Sequence, residues 1–329
     1  MWGNFSMLRF LSFRLLQSIF VLWTVFTVTF VLLMLAPGDP FIGEKKPPDS
    51  VIRALAQTYG LDYLAKTPEE RKNMPWWQHV SQIARAYANS IRNALKGNLG
   101  PSIEYPNFSV TDIIRTSLPV SAALGSLALV IALWLGVATG TLAAAHKGRA
   151  LDLILSIATL MGVSLPTFVI GALLMMLFVV YIPLFPAAGW GKPSQILLPA
   201  FTLSLFFLAY IARLARSSTL DALSADFVRT ARAKGLSAPR VITHHVGANA
   251  ALPILSYLGP AAANILTGSF VVEKLFAIPG LGTHFVNGCL NKDIPLVLGA
   301  VIVYTLIVVA FNLLVDLAYA AVDPRITLR

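Results

Sequence analysis

Few side chains in this chain of 329 residues have the types and spacing needed for catalysis. The sequence has no Gly-x-x-x-x-Gly-Lys-Ser/Thr phosphate-binding loop, so it lacks an ATP site of that type. It also lacks the His-Glu-x-x-His pattern of zinc proteases, and Cys289 is its only cysteine. Gly162-Val163-Ser164-Leu165 faintly resembles the turn that carries a serine nucleophile, but the second glycine is missing. A serine that hydrogen-bonds back into a helix beside Pro166 is the better interpretation, and we expect no catalytic, cofactor-binding or metal-binding residue.

An ionisable residue inside an apolar run would indicate ion-coupled transport, because a charge at the centre of a bilayer costs about 3 kcal/mol or more. The apolar runs contain one such residue, Asp316, four residues before the end of the last run. At that position its carboxylate can reach the interface, so Asp316 is poor evidence for a proton relay. An autonomous ion-coupled carrier stays open as an alternative without positive support.

The composition indicates which elements must position any site. Hydrophobic residues make up 57% of the chain and charged residues only 12%, about half the charged fraction of a soluble domain. That content excludes a soluble single-core fold, a disordered chain and a disulfide scaffold. A membrane protein with several spans remains, and in such a protein a net charge of +10 is read as topology rather than as nucleic-acid binding.

Six runs have the length that a bilayer core about 30 Å thick requires, roughly 20 apolar residues. The predicted spans are Leu15–Ala36, Leu118–Ala143, Leu153–Ile182, Ile196–Ala212, Ala251–Val272 and Ile294–Ala320. The third is long for one upright helix, and Pro166 lies near its middle. We interpret it as a single kinked or tilted helix. The fold class is therefore an all-α membrane protein with six transmembrane helices.

Basic residues identify the cytoplasmic side, because Lys and Arg are enriched in cytoplasmic loops. They fall before the first span, between the second and third, after the sixth, and in the loop of residues 213–250: Arg9, Arg14, Lys147, Arg149, Arg325, Arg329, Arg213, Arg216, Arg229, Arg232, Lys234 and Arg240. All these segments lie on one side of six spans. The pattern predicts a multi-pass membrane protein with both termini in the cytoplasm.

The chain divides into residues 1–36, an extracytoplasmic segment of residues 37–117, and a core of residues 118–329. Apolar residues recur at helical spacing between Pro75 and Lys96 in the extracytoplasmic segment, which predicts an amphipathic helix. Packing within its own subdomain or on the bilayer is one interpretation of this helix. Docking of an extracytoplasmic partner is the other.

The loop of residues 213–250 is long for a linker and reads as two short helices. Ser218 to Asp221 is similar to a capping box and predicts the start of the first helix, which runs to Lys234 with Gly235 as its C-terminal cap. Pro239 is tolerated in the first turn of the second.

Phe227, Ala231 and Lys234 share one face of the first helix, and Arg229 and Arg232 share another. A small alanine beside an aromatic ring and cations suits entry into a partner's groove. An interfacial helix whose arginines meet anionic lipid is equally consistent with the spacing.

The stretch from Asp226 to Leu236 (DFVRTARAKGL), followed by NAALP from Asn249 to Pro253, closely resembles the cytoplasmic coupling motif of bacterial ABC-importer permeases of the peptide branch. Similar motifs extend along the chain: MLRF from Met7, APGDPF from Ala36, GNLGPS from Gly97, SLPVS from Ser117, LPTF from Leu165, IPGLG from Ile278, DLAY from Asp316 and DPR from Asp323. Among the branch, the chain is most similar to the B-type permease of oligopeptide importers.

The chain departs from the family pattern at a few positions. Arg229, Thr230 and Ala231 occupy the Glu-Ala-Ala positions of the general importer motif, a substitution usual in the peptide branch. His244 and Gly247 stand where the branch commonly has arginine and leucine, and residues 67–73 appear as an insertion. These differences concern the second helix of the loop and the extracytoplasmic segment.

The resemblance implies a type I importer permease that alternates between inward-open and outward-open states and hydrolyses no ATP itself. It implies a homologous C-type permease as heterodimer partner, two ATPase subunits that hold ATP and Mg²⁺, and an extracytoplasmic peptide-binding protein. A second copy of this chain remains an alternative partner, and dipeptides, nickel or another small solute are alternative substrates. The implied ATPase-coupling residues are Asp226, Phe227, Arg229, Thr230, Ala231, Lys234 and Gly235.

Overall fold

The computed structural model describes residues 3–36, 74–105, 107–237, 240–241, 246–266 and 270–322. Within these ranges every regular element is a helix, and one isolated bridge joins Pro101 and Ser109. The helices are α1 Gly3–Leu35, α2 Trp76–Leu95, α3 Val110–Ala145, α4 Ala150–Ser164, α5 Thr167–Met175, α6 Pro193–Leu223, α7 Asp226–Ala233, α8 Gly247–Leu266, α9 Phe270–Leu275, α10 Leu281–Leu290 and α11 Ile294–Val322. The all-helical prediction is confirmed.

Helices lie at all six predicted runs, and four described helices are long and apolar enough to cross a membrane: α1, α3, α6 and α11. A π-helix, Met176–Tyr181, continues α5, and the pair of α4 with this extended α5 is a fifth candidate. α8 covers most of the fifth predicted run, but it is not among the four, since it carries two prolines and polar Asn249, Ser256 and Asn264.

The third predicted run is not one kinked or tilted helix. α4 ends at Ser164 and α5 begins at Thr167, and the two axes are bent by 109°. Pro166 lacks an amide hydrogen and forces the preceding Leu165 into an extended conformation, with φ −96° and ψ 138°. The Ser164 hydroxyl donates to the Leu160 carbonyl oxygen at 2.9 Å, which confirms the predicted back-bond. The position of the break follows from the proline, but its size does not.

The described contacts divide the chain into two compact units. The first comprises Met1–Arg14, Ser121–Pro279 and Ile307–Arg329, and the second comprises Leu15–Val120 and Gly280–Leu306. In the first unit, α6 packs against α4 and α8. α3 approaches α6 most closely at Gly140, where an added Cβ would lie 2.2 Å from the Ala212 carbonyl oxygen. The small residues of α3 therefore serve packing within the chain.

The first unit contains two acidic residues with partners in the fold, Asp316 and Glu273, of which the apolar runs indicate only Asp316. The sequence pattern indicates Asp316 alone, and its carboxylate pairs with Arg14 at 2.8 Å. Glu273 in α9, one residue beyond the predicted fifth run, is fully buried and accepts a hydrogen bond from the Ser121 hydroxyl at 2.7 Å. Glu273 lies outside the predicted runs, so Asp316 stays the one ionisable residue within them, and Glu273 is a buried acid that the search of the runs did not cover.

The second unit confirms the amphipathic helix as α2. Its middle residues Ala86 and Tyr87 pack on Phe26 and Phe30 of α1, and the Tyr87 hydroxyl lies 2.5 Å from the Thr27 hydroxyl. Trp76 at its beginning is 78% exposed. One face of α2 thus belongs to the core of its own unit, as the first interpretation holds, and the aromatic end is left outside that core.

Asp293 joins the segment of residues 102–104 to the beginning of α11 in the second unit. One carboxylate oxygen caps α11 by accepting from the Leu296 N–H at 3.0 Å. The other oxygen accepts from the Ile103 N–H at 2.8 Å, the Glu104 N–H at 3.0 Å and the Ser102 hydroxyl. Burial raises the pKa of the Asp293 carboxyl above its ordinary value, and these hydrogen bonds oppose that shift.

Candidate coupling site

The helix that carries the predicted site begins later than the sequence pattern indicates. Ser218 to Asp221 lie inside α6, which continues to Leu223, so the predicted capping-box start is wrong. The Ser218 hydroxyl donates to the Leu214 carbonyl oxygen at 2.7 Å and is engaged within its own helix rather than at a helix beginning. α6 ends at Leu223 with Ser224 as its C-cap, and α7 begins three residues after Leu223 at Asp226. The transmembrane helix therefore leads into α7 with almost no linker.

The end of α7 follows the sequence prediction. Gly235 has φ +79°, the left-handed conformation that glycine adopts without strain. The Leu236 N–H donates to the Ala231 carbonyl oxygen at 3.3 Å, which is the six-to-one bond of a Schellman cap. Gly235 acts through this turn, because it redirects the chain after α7.

Burial separates the predicted site residues into two groups. Val228 and Ala231 are 1% and 5% exposed and belong to a small core with Ala222, Val241, Val246 and Ala250. The other predicted site residues, Asp226, Phe227, Arg229, Thr230, Lys234 and Gly235, are exposed. Ala231 therefore lies under α7 rather than on its outer surface, which differs from the face assignment made from helical spacing. Val228, which the motif analysis left without a role, is the other residue that fixes α7 to this core.

The exposed surface of α7 combines charge with one aromatic ring. Phe227 is 40% exposed, although Val228 and Ala231 of the same helix are buried in the small apolar core described above. Asp226 and Arg229 form an ion pair of 3.6 Å whose side chains are 96% and 80% exposed, so the pair adds little stability. Exposed aromatic rings with charged neighbours are typical of protein-binding surfaces, which makes this face a candidate for one.

The last part of α6, residues 213–223, leads into α7 and is called the stem of α7 below; it is held by an ion pair that the sequence pattern does not indicate. Arg216 in α6 donates to Asp152 in α4 from Nε at 2.7 Å and from Nη2 at 2.8 Å. The Asp152 carboxylate also accepts from the Gly148 N–H at 3.0 Å and is mostly buried. Bidentate guanidinium–carboxylate pairs are both strong and directional. The pair therefore links the end of α6, which leads into α7, to the beginning of α4.

The second helix of the loop is described only in part. The Val241 N–H donates to the Ser237 carbonyl oxygen at 3.0 Å, and Val241 and Val246 are buried in the core under α7. Pro239 and His244 lie outside the described residues. Val241 and Val246 thus belong to the same core as Val228 and Ala231.

Comparison with known proteins places this geometry in a family. Residues 136–328, more than half of the chain, match the family model described as binding-protein-dependent transport system inner membrane component. The chain belongs to this family. It is a permease subunit of an ABC importer, a multi-pass inner-membrane protein that forms a translocation path and is not an enzyme.

Curated relatives match over nearly the whole permease. The oligopeptide transport system permease protein OppB of Haemophilus influenzae is 39% identical over 322 residues, covering 97% of this chain and 99% of that protein. OppB of Escherichia coli K12 is 38% identical with the same coverage. The dipeptide transport system permease protein DppB of Bacillus subtilis is 37% identical, covering 98% of this chain and 99% of that protein.

One solved structure supports the fold of the permease. An inward-facing form of the MetNI methionine ABC transporter aligns with a TM-score of 0.54 and 14% identity, covering 64% of this chain and 96% of that chain. At that identity the likeness concerns the fold alone. It agrees with the type I permease fold expected from the motifs.

Proposed function

We propose that this permease forms half of the pathway of an oligopeptide importer and that α7 is the helix through which separate ATPase subunits move it. The observation that carries the substrate class is the 39% identity to an oligopeptide permease across 97% of the chain. The exposed face of α7 on its buried base supports the coupling role. The other half of the pathway is a homologous C-type permease, and an extracytoplasmic binding protein delivers the peptide.

Each predicted coupling residue has a role in this proposal. Phe227 enters a cleft of the ATPase subunit, while Asp226, Arg229, Thr230 and Lys234 meet polar groups at its rim. Ala231 keeps α7 on its core, and Gly235 turns the chain away so that the face stays accessible. ATP and Mg²⁺ bind in the ATPase subunits, and closure of these subunits pushes α7 and α6. The Arg216–Asp152 pair passes this movement on to α4. In this arrangement α7 and both termini lie in the cytoplasm.

The coupling role is tested with Phe227→Glu and a matched control, Ser224→Glu. Ser224 is exposed between α6 and α7 in the same loop and receives the same charged side chain. Loss of an aromatic residue at the centre of an interface costs about 2–4 kcal/mol, so we expect co-purification of the ATPase subunits to fall at least about thirtyfold in Phe227→Glu. Ser224→Glu is expected to retain them. Equal retention by both variants would refute the coupling role of α7.

Dipeptides are the second candidate substrate, because a dipeptide permease is 37% identical over 98% of the chain. Uptake by the reconstituted importer of labelled pentapeptide against excess unlabelled dipeptide separates the two. The oligopeptide proposal predicts little competition by dipeptide and strong competition by unlabelled pentapeptide. Ion-driven uptake by the purified chain without ATPase subunits would contradict both and favour an autonomous carrier.

A further inference from the structure

A cavity of about 340 Å³ lies between α3, α4 and α6 on the side of the Arg216–Asp152 pair. Its volume is within the range of small-molecule sites, about 300–1,000 Å³. Arg213 and Arg216 of α6 line it, together with the hydroxyl-bearing residues Thr139 and Ser217. The motifs of the family do not account for this cavity, and it lies apart from the exposed face of α7.

The charge of the cavity is positive. Arg216 is neutralised by Asp152, and Asp152 is in turn satisfied by Arg216 and the Gly148 N–H. Arg213 is exposed and stacks over the Tyr210 ring at 5.3 Å from its centroid. Among the described residues, no carboxylate forms an ion pair with Arg213. Two guanidinium groups and one carboxylate therefore leave a net charge of +1 at the cavity.

The cavity is amphipathic and lies at the depth of a membrane interface. Arg213 follows directly after the apolar run that ends at Ala212, so its guanidinium lies where the hydrocarbon gives way to headgroups. Leu155 and Leu160 of α4 also line the cavity. Leu160 is 54% exposed and shares its face of α4 with exposed Leu153 and Ile157, which is an apolar surface at bilayer depth.

We propose that this cavity binds an anionic phospholipid, with its headgroup phosphate on Arg213 and its acyl chains along the exposed face of α4. Guanidinium groups bind phosphate oxygens through paired hydrogen bonds, and basic pockets between transmembrane helices bind lipid headgroups. The hydroxyls of Ser217 and Thr139 supply further donors. Because Arg213 and Arg216 belong to the stem of α7, the bound lipid stabilises the same α4–α6 contact through which α7 is held.

The test measures lipid retained by the full importer complex purified in detergent and titrated with phosphatidylglycerol or phosphatidylcholine, read by native mass spectrometry. We expect wild type to prefer phosphatidylglycerol by at least about fivefold, since one basic residue near anionic lipid contributes about 1 kcal/mol. Arg213→Gln is expected to lose that preference. The control Arg149→Gln makes the same charge change at an exposed residue outside the cavity lining and is expected to keep it.

A second variant, Ser217→Glu, keeps the test decisive if Arg213→Gln does not fold. It places a carboxylate in the lining without removing Arg213 and is expected to weaken phosphatidylglycerol binding by a similar factor. Excess sn-glycerol 1-phosphate distinguishes a lipid from a free phosphate, and we expect it to displace no lipid. Equal effects of Arg213→Gln and Arg149→Gln, displacement by glycerol phosphate, or no lipid bound to the assembled complex would each overturn the proposal.

Discussion

Gly140→Ala is expected to loosen the contact between α3 and α6 that supports the stem of α7. A Cβ at residue 140 would lie 2.2 Å from the Ala212 carbonyl oxygen and 2.7 Å from the Ala215 Cβ. Ordinary contact begins near 3.4 Å, so the two helices must separate by about 1.2 Å. The atoms that must move are backbone atoms of α6, which cannot turn aside as a flexible side chain does.

The magnitude of this effect follows from two opposing contributions. Overpacking in a dense contact costs about 1–3 kcal/mol, and replacing a helical glycine by alanine returns about 0.5–1 kcal/mol. A backbone approach of 2.2 Å places the overpacking at the upper end of its range, so we expect a net loss of about 2–2.5 kcal/mol. At about 2.1 cal/mol/K of unfolding entropy per residue, this loss lowers the apparent Tm by roughly 3–4 °C. Because Arg216 lies on the displaced turn, its bonds to Asp152 also lengthen, and peptide transported per ATP hydrolysed is expected to fall.

Gly162→Ala is the matched control for this substitution. Gly162 is also helical and also faces α6, but its Cβ would lie 3.1 Å from the Ala209 Cβ and 3.2 Å from the Leu205 carbonyl oxygen. A shift of a few tenths of an ångström removes that overlap, so the apparent Tm is expected to stay within about 2 °C of wild type. Both proteins are melted in detergent and followed by tryptophan fluorescence. A Gly140→Ala protein that melts like Gly162→Ala would refute the reasoning.

Two further outcomes follow from the ion pair of the stem and the buried acid of the second unit. Arg216→Gln is expected to lower the free energy of unfolding by about 1–3 kcal/mol, less than for a fully buried pair because the Arg216 side chain is 34% exposed. It is also expected to lower the transport per ATP hydrolysed, and unchanged transport per ATP in reconstituted vesicles would contradict this. Asp293→Ala leaves the N–H groups of Ile103, Glu104 and Leu296 without their acceptor and is expected to cost about 2–4 kcal/mol, with faster hydrogen exchange at those amides. Exposed Asp112→Ala is its control, and equal exchange in the two variants would exclude the role of Asp293.

The sequence predicted those parts of the fold that depend on local patterns. Apolar runs of bilayer length placed the spanning helices, since helix formation satisfies every backbone group within the segment itself. The helical spacing between Pro75 and Lys96 gave α2, and Gly235 gave the end of α7 because a left-handed residue there depends on one glycine. The Ser218 capping pattern failed, because its local preference was weaker than continuation of α6.

The orientation of α7 could not be obtained from spacing. The periodicity showed which residues share a face but not which face is covered, so Ala231 was assigned to the outer surface. Its burial depends on Val241, Val246 and Ala250, which come from the chain beyond the turn. The candidate site was thus located by its motif, and the division into a buried base and an exposed face required the packed loop.

The sequence by itself determined that this chain is helical and has several apolar runs long enough to cross a membrane, because composition and spacing are properties of neighbouring residues. It also located the loop of residues 213–250 through the resemblance of residues 226–236 to a family motif. The tertiary structure alone decided that Asp152 meets Arg216 across 64 residues and that Glu273 is buried against Ser121. It also decided the 109° bend at Leu165 and Pro166. Each depends on which helices pack together, and that choice is made by complementary surfaces distant in the chain.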